Sequence, residues 1–202
     1  MAFSDRAKDY PLRRRDIAAR LLADRGDLLV VAGLGAPAWD ATAAGDSDLT
    51  FPLWGAMGGA VAIGLGLALA QPGRRVLVLT GDGEMLMGLG SLATVAALAP
   101  ANLAVAVLDN ERYGETGMQR THTAGVTDLA GIAAAAGFAE TVTARAEDQV
   151  AAAVACVRRA PGPVLAVFKV RAEDLPLVMP PKDGGHLKQR FRAALLGGPR
   201  DV

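Results

Sequence analysis

The sequence is poor in the groups that commit a chain to several common chemistries. Among 202 residues there are one cysteine and two histidines, and aromatic residues make up only 4%. A lone cysteine, Cys156, forms no internal disulfide, and no Cys/His cluster offers a zinc site, so an oxidising compartment is not implied. Neither sign of charge is in excess, since 21 Lys and Arg face 21 Asp and Glu. Binding to nucleic acid or to an anionic membrane rests on a basic surplus and is disfavoured. The residues from Met1 to Tyr10 lack the apolar stretch of a signal peptide, so the expected location is cytoplasmic. At 51% hydrophobic and 21% charged the chain is not disordered, and its length suits one domain.

Charge is also missing locally. Leu49 to Gly73 carries none, a run long enough for a membrane span. Yet Pro52 opens it, glycines recur at 55, 58, 59, 64 and 66, and strand-like segments surround it. It reads instead as a buried helix of small residues packed closely on another backbone.

Five short runs read as strands: 28–32, 76–80, 103–108, 139–142 and 164–170. Three are unbroken Val/Leu/Ala runs without alternation, as in parallel strands covered on both faces. Helical stretches lie between them at 12–25, 56–70, 85–99, 128–136 and 147–160, with Thr127 as an N-cap and Gly137 as a C-terminal stop. The alternation predicts an α/β fold: an open, mostly parallel sheet with helices on both faces. This domain is expected to span 1–170, followed over 171–202 by an extended strap and a short helix at 187–196.

In open α/β sheets ligands bind at the carboxyl ends of strands. Strand 76–80 runs into Gly81-Asp82-Gly83-Glu84, and strand 103–108 into Asp109-Asn110-Glu111-Arg112-Tyr113-Gly114. If the two strands are neighbours, Asp82 and Asn110 enter one crevice. Gly81 and Gly83 permit a sharp turn and a close ligand, and the following helix N-terminus favours a phosphate. A carboxylate and an amide oxygen are hard ligands for Mg²⁺, which fills its shell with water and substrate phosphate. The crevice reads as a site for a Mg²⁺-bridged diphosphate. Taken singly, Asp-Gly and Asp-Asn are also ordinary turn dipeptides.

Gly81-Asp82-Gly83 followed, after 26 intervening residues, by Asn110 resembles the cofactor motif of thiamin diphosphate-dependent enzymes. In that family the Asn is commonly preceded by another Asn, where this chain has Asp109. Leu53 to Ala68 is similar to the segment beneath the cofactor in 2-oxo acid decarboxylases. The resemblance runs from Gly33 to Val170 and is to the family's diphosphate-binding domain. It implies that Asp82, the Asn110 side chain and the main-chain carbonyl of Arg112 hold Mg²⁺. It further implies that Gly81, Gly83, Glu84, Tyr113 and Gly114 lie along the diphosphate, with Gly35 and Ala36 of the 33–36 loop nearby. Met57 would wedge the two cofactor rings and the Gly55 carbonyl would bind the 4′-amino group; a core methionine is the plain alternative for Met57.

The family also needs a Glu on the pyrimidine ring, supplied by a separate domain for which this chain has no room. The resemblance therefore implies one subunit of a split enzyme, similar to the sulfopyruvate and phosphonopyruvate decarboxylase type. Its partner would be a pyrimidine-domain chain of similar size, in a hetero-oligomer of α2β2 or larger form. The expected reaction is non-oxidative decarboxylation of a small 2-oxo acid. Carboligation, 2-oxo acid oxidoreduction and a non-catalytic diphosphate-binding module remain alternatives. Glu115 would sit awkwardly beside a sulfonate or phosphonate unless turned outward. His122 is a candidate proton donor or a plain loop residue; His186 lies in the tail, Cys156 reads as a small buried residue, and Arg13-Arg14-Arg15 as a solvated helix face.

Overall fold

The computed structural model describes residues 5–198, so the extreme ends of the expected domain and tail, 1–4 and 199–202, lie outside the described residues. The strands are β1 (Leu29–Ala32), β2 (Thr50–Pro52), β3 (Val76–Gly81), β4 (Leu103–Asp109), β5 (Arg112–Tyr113), β6 (Gln119–Arg120), β7 (Glu140–Ala144) and β8 (Val164–Lys169). Six of them form one parallel sheet in the order β2-β1-β3-β4-β8-β7, while β5 and β6 pair as a small antiparallel hairpin. The helices are α1 (Arg14–Leu22), α2 (Ala36–Ala43), α3 (Ala60–Ala70), α4 (Asp82–Met87), α5 (Ser91–Leu98), α6 (Leu129–Ala136), α7 (Glu147–Arg159) and α8 (Gly184–Leu196).

The central strands β1, β4 and β8 are buried at every residue because both faces of the sheet are covered. On one face Ile17, Leu21, Trp39, Val150 and Val157 of α1, α2 and α7 pack on Val30, Leu77, Ala104 and Phe168. On the other, Val61, Leu65, Leu92, Val95 and Ala133 of α3, α5 and α6 pack on Val31, Val78, Val105 and Val167. Among the described residues no helix is long and apolar enough to cross a membrane.

The uncharged segment departs from its expected form in two ways. Its helix begins at Ala60 rather than Ala56, because Ala56 and Gly58 both take positive φ, +58° and +92°, and turn the chain first. And α3 is buried on one face only. Ala60, Val61, Gly64, Leu65 and Ala68 face the sheet, where a side chain on Gly64 would collide with Val78. Ile63, Gly66 and Leu69 face outward.

The single helix expected over 85–99 is two, α4 and α5, broken around Gly88. Gly88 lies against Gly58, so closely that a Cβ would strike the Gly58 carbonyl oxygen. Two backbones meet there, and no periodicity argument sees that contact. At α6 the cap is Asp128, which accepts from the Ala130 amide at 3.1 Å, rather than Thr127. Gly137 closes the same helix with φ +107°, as its position suggested. The first helix, expected over 12–25, is shorter because Leu12 is taken into a parallel bridge with Val170.

Four strands and α-helices lie outside the expected pattern: the three-residue β2 and the two-residue β5 and β6, too short to show a period, and α2. Gly35 at the N-cap and Pro37 in the first turn were an available signal for α2.

After β8 the chain crosses back over the α1 side without regular structure. Arg171 donates its amide to Leu12, Arg15 donates to the Pro176 carbonyl at 2.9 Å, and the Trp54 indole donates to the Pro181 carbonyl at 2.9 Å. Then α8 covers the β2 edge, with Phe191 against Phe51 at 5.5 Å and Arg190 doubly bonded to Asp46 at 2.6 and 2.8 Å.

Candidate active site

The chain leaves β1 toward β2 on one side and returns to β3 on the other, which makes the β1/β3 boundary the switch point of the sheet. Ligand crevices open at the carboxyl ends of such strands. A cavity of about 160 Å³ lies there, lined by Leu34, Ala36 and Pro37 after β1, Gly81 to Glu84 after β3, and Asn110 and Arg112 to Thr116 after β4. Because β3 and β4 pair with Gly81 opposite Leu108, the turns that follow them are neighbours. Asp82 and Asn110 therefore line the same cavity.

Asp82 is the first residue of α4 and is 1% exposed. That helix has six residues, so the anion-favouring dipole expected from a long helix is reduced to first-turn amides. Among the described residues no cation pairs with Asp82. Its Oδ2 accepts from the Thr121 hydroxyl at 2.6 Å and faces the Thr123 hydroxyl at 3.2 Å. Thr123 in turn donates to Asp109 Oδ1 at 2.8 Å. Burial first, and the Asp109 carboxylate second, push the Asp82 carboxyl up to about 7. A buried acid with an acid neighbour and no cation is costly unless a positive ion joins it.

Asp109 itself is compensated. The register of β4 and β8 sets Lys169 opposite it, with Nζ 2.7 Å from Oδ2. The next residue, Asn110, turns its side-chain oxygen back to accept the Arg112 amide at 2.9 Å. Between them Glu111 is buried, and its carboxylate accepts from Tyr10, Arg6 and Lys169. Burial alone would raise its pKa, but those three hydrogen bonds hold it below the ordinary value.

The other expected residues divide. Met57, Gly81, Gly83, Glu84, Tyr113, Gly114 and Ala36 line the cavity, whereas Gly35 and Gly55 do not. Gly35 instead meets Glu115, whose Oε1 accepts from the Trp39 indole at 3.1 Å. Glu115 is solvent-exposed but held into the cavity wall, not turned away from it. Gly83 lies under the Tyr113 ring, where a Cβ would come within 2.6 Å of it. The Glu84 carboxylate accepts from Thr80 at 2.7 Å and fills the space beside Gly33, while its other oxygen is buried without a partner.

Sequence reasoning missed Arg14, Pro37, Leu108 and Thr116 as lining residues, while Leu34 belongs to the expected 33–36 loop. Arg14 is buried, not solvated, and donates to Asp40 at 2.6 Å, so the arginine run is not a plain solvated face. His122 is exposed and outside the cavity lining, and His186 is exposed in the first turn of α8.

The donor chemistry of the cavity fits a diphosphate with a hard divalent ion. One carboxylate and one amide oxygen, beside glycine-lined backbone, match the sparse protein ligation that Mg²⁺ takes alongside phosphate. Among the described residues no group of three or more His, Cys, Asp or Glu could hold a metal by itself.

Comparison with known proteins agrees. Residues 39–168 match the family model described as thiamine pyrophosphate enzyme, C-terminal TPP binding domain. The chain belongs to that family. It is 33% identical over 187 residues to the sulfopyruvate decarboxylase subunit beta of Methanococcus maripaludis, covering 91% of this chain and 98% of that one. It is 46% identical over 127 residues to the corresponding subunit of Methanothermobacter thermautotrophicus, covering 63% of this chain and 68% of the relative. Against a phosphonopyruvate decarboxylase of Streptomyces viridochromogenes it is 40% identical over 182 residues, covering 89% of this chain but only 45% of the relative. A solved chain from Mycobacterium smegmatis, described as a thiamin diphosphate-dependent enzyme, superposes with a TM-score of 0.68 at 23% identity. It covers 81% of this chain and 32% of its own, and shares the fold. Family membership makes thiamin diphosphate with a divalent metal, typically Mg²⁺, the cofactor.

Proposed function

We propose that this chain is the thiamin diphosphate- and Mg²⁺-binding subunit of a cytoplasmic, two-subunit decarboxylase acting on a small 2-oxo acid of the sulfopyruvate or phosphonopyruvate kind. The observation that carries the reading is Asp82, a buried carboxylate without a cation, lining one cavity with Asn110. These two side chains and the Arg112 carbonyl hold the metal, and Gly81, Gly83, Tyr113 and Gly114 border the diphosphate. Met57 supports the rings and the Gly55 carbonyl holds the 4′-amino group. When bound, thiamin diphosphate supplies the electron sink for the pair released as the bond to the carboxylate carbon breaks. Thr121 holds the Asp82 carboxylate toward the metal, and the Tyr113 ring closes the Gly83 side of the cradle against water.

The cavity supports the two-subunit reading as well. Its volume of about 160 Å³ is small against the roughly 300 Å³ at which ligand sites begin, enough for the diphosphate and its metal but leaving the rings to be enclosed by a partner surface. The relative's name, subunit beta, points the same way. The partner is a pyrimidine-domain chain of similar size, in an α2β2 or larger assembly, and it supplies the acid for the pyrimidine ring.

Two measurements test this. Calorimetric titration with thiamin diphosphate in Mg²⁺ should give binding that weakens at least about 100-fold in Asp82→Ala, the loss of a charged metal ligand. Release of CO₂ from sulfopyruvate should appear only when the partner chain is added. Undiminished cofactor affinity in Asp82→Ala would remove the metal-site assignment.

A further inference from the structure

The loop between Asn110 and Arg112 has a feature that metal binding alone does not require. Glu111 is a non-glycine residue with φ +60°, a left-handed backbone that L side chains rarely adopt. It is also 1% exposed, and one oxygen of its carboxylate takes three donors, two from the 5–10 segment and one from β8. Arg6 Nε is at 3.0 Å, the Tyr10 hydroxyl at 2.7 Å and Lys169 Nζ at 3.1 Å. Its backbone is fastened too: the amide donates to Asp109 Oδ1 at 3.1 Å, and the carbonyl accepts from the Thr121 amide at 3.0 Å. Arg6 reaches on to the Thr123 carbonyl at 3.2 Å, and Arg112 is ion-paired with Asp5. The segment from Asp5 to Tyr10 thus grips the one loop that carries two of the three proposed metal ligands.

We infer that Glu111, clamped by Arg6, Tyr10 and Lys169, is a positioning residue that fixes the Asn110 side chain and the Arg112 carbonyl for a small cation and so makes the site select Mg²⁺ over Ca²⁺. The inference rests on the metal-site reading above and goes beyond it. A left-handed residue between two ligands sets the angle between their oxygens, and it keeps that conformation only while surrounding contacts hold it. Mg²⁺ demands near-octahedral oxygens at about 2.0–2.1 Å, whereas Ca²⁺ accepts about 2.3–2.6 Å in a pliant shell. A loop held on both sides suits the first ion. Released, it suits either.

The experiment titrates thiamin diphosphate into the full chain in Mg²⁺ and separately in Ca²⁺, for the unaltered protein, Tyr10→Phe, Glu111→Gln and Asp82→Ala. Tyr10→Phe deletes one donor on the side of Glu111 away from the cavity and stands even if Glu111→Gln does not fold. The unaltered chain should bind more tightly with Mg²⁺. In Tyr10→Phe and Glu111→Gln the Mg²⁺-to-Ca²⁺ affinity ratio should fall about tenfold, a change that simple destabilisation does not produce. An unchanged ratio in both, with binding abolished in Asp82→Ala, overturns the clamp and leaves the metal site standing. Binding that survives Asp82→Ala overturns the site reading and the clamp with it.

Discussion

At the scale of single residues the site is governed by uncompensated charge. Burial and the Asp109 carboxylate both oppose ionisation of Asp82 and push its pKa from the ordinary 3.8 up to about 7. A raised carboxyl favours the folded state only while protonated, so its contribution is complete below about pH 4 and is lost as pH rises through 7. The metal-free chain should therefore lose stability between about pH 4 and 7, on the order of a few kcal/mol from this group. Asp82→Asn should flatten that slope, as should Mg²⁺ with thiamin diphosphate, which requires the ionised form. Thermal melts in EDTA across this range check it; equal slopes with and without the substitution would contradict the electrostatic account. Arg14 and Asp40 are the opposite case, a buried pair in which each ion answers the other. Arg14→Met, which leaves the buried Asp40 only its contact with Arg15 at 3.2 Å, should cost about 1–3 kcal/mol in urea unfolding.

Among elements, the decisive contacts are between backbones. The α4–α5 break exists because Gly88 and the Gly58 turn occupy adjoining space, and the turn in turn presents Met57 to the cavity. Gly88→Ala should destabilise by about 1–3 kcal/mol, the usual cost of overfilling a packed junction. It should also weaken cofactor binding by shifting Met57. Chemical denaturation together with calorimetry measures both effects. The strands were legible in the sequence because short Val/Leu/Ala runs bounded by turn residues suit a sheet covered on both sides. Helix limits were less so. Whether 85–99 is one helix or two depends on a glycine 30 residues upstream of the break, and β2 is too short to carry a period.

On the scale of the molecule, the chain is unfinished on one side. Met57, Ile63 and Met87 are 39%, 37% and 61% exposed. They adjoin one another, because Met87 packs on Gly58 and Ile63 on Gly59. The uncharged outer face of α3 continues this surface through Leu69. It borders the cavity at Met57, where the proposed partner would add its half of the site. Ile63→Lys should leave the melting temperature of the isolated chain nearly unchanged, since the side chain already meets water. It should abolish reconstitution of CO₂ release with the partner, measured by titrating one chain into the other. Reconstitution at unaltered strength would move the interface elsewhere.

The amino-acid order by itself determined the layered α/β architecture and set Asp82 and Asn110 each just past a strand end, since both follow from local periodicity and from where polar residues interrupt apolar runs. That the two strands are neighbours was decided by the sheet. Tertiary structure alone decided that Lys169 neutralises Asp109, that Arg14 is buried against Asp40, that Glu115 is held by Trp39, and that residues near the beginning of the chain grip Glu111. Each joins groups distant in sequence across neighbouring strands or packed helices. Charges so placed interact through a low-dielectric interior whose geometry exists only once the sheet has formed.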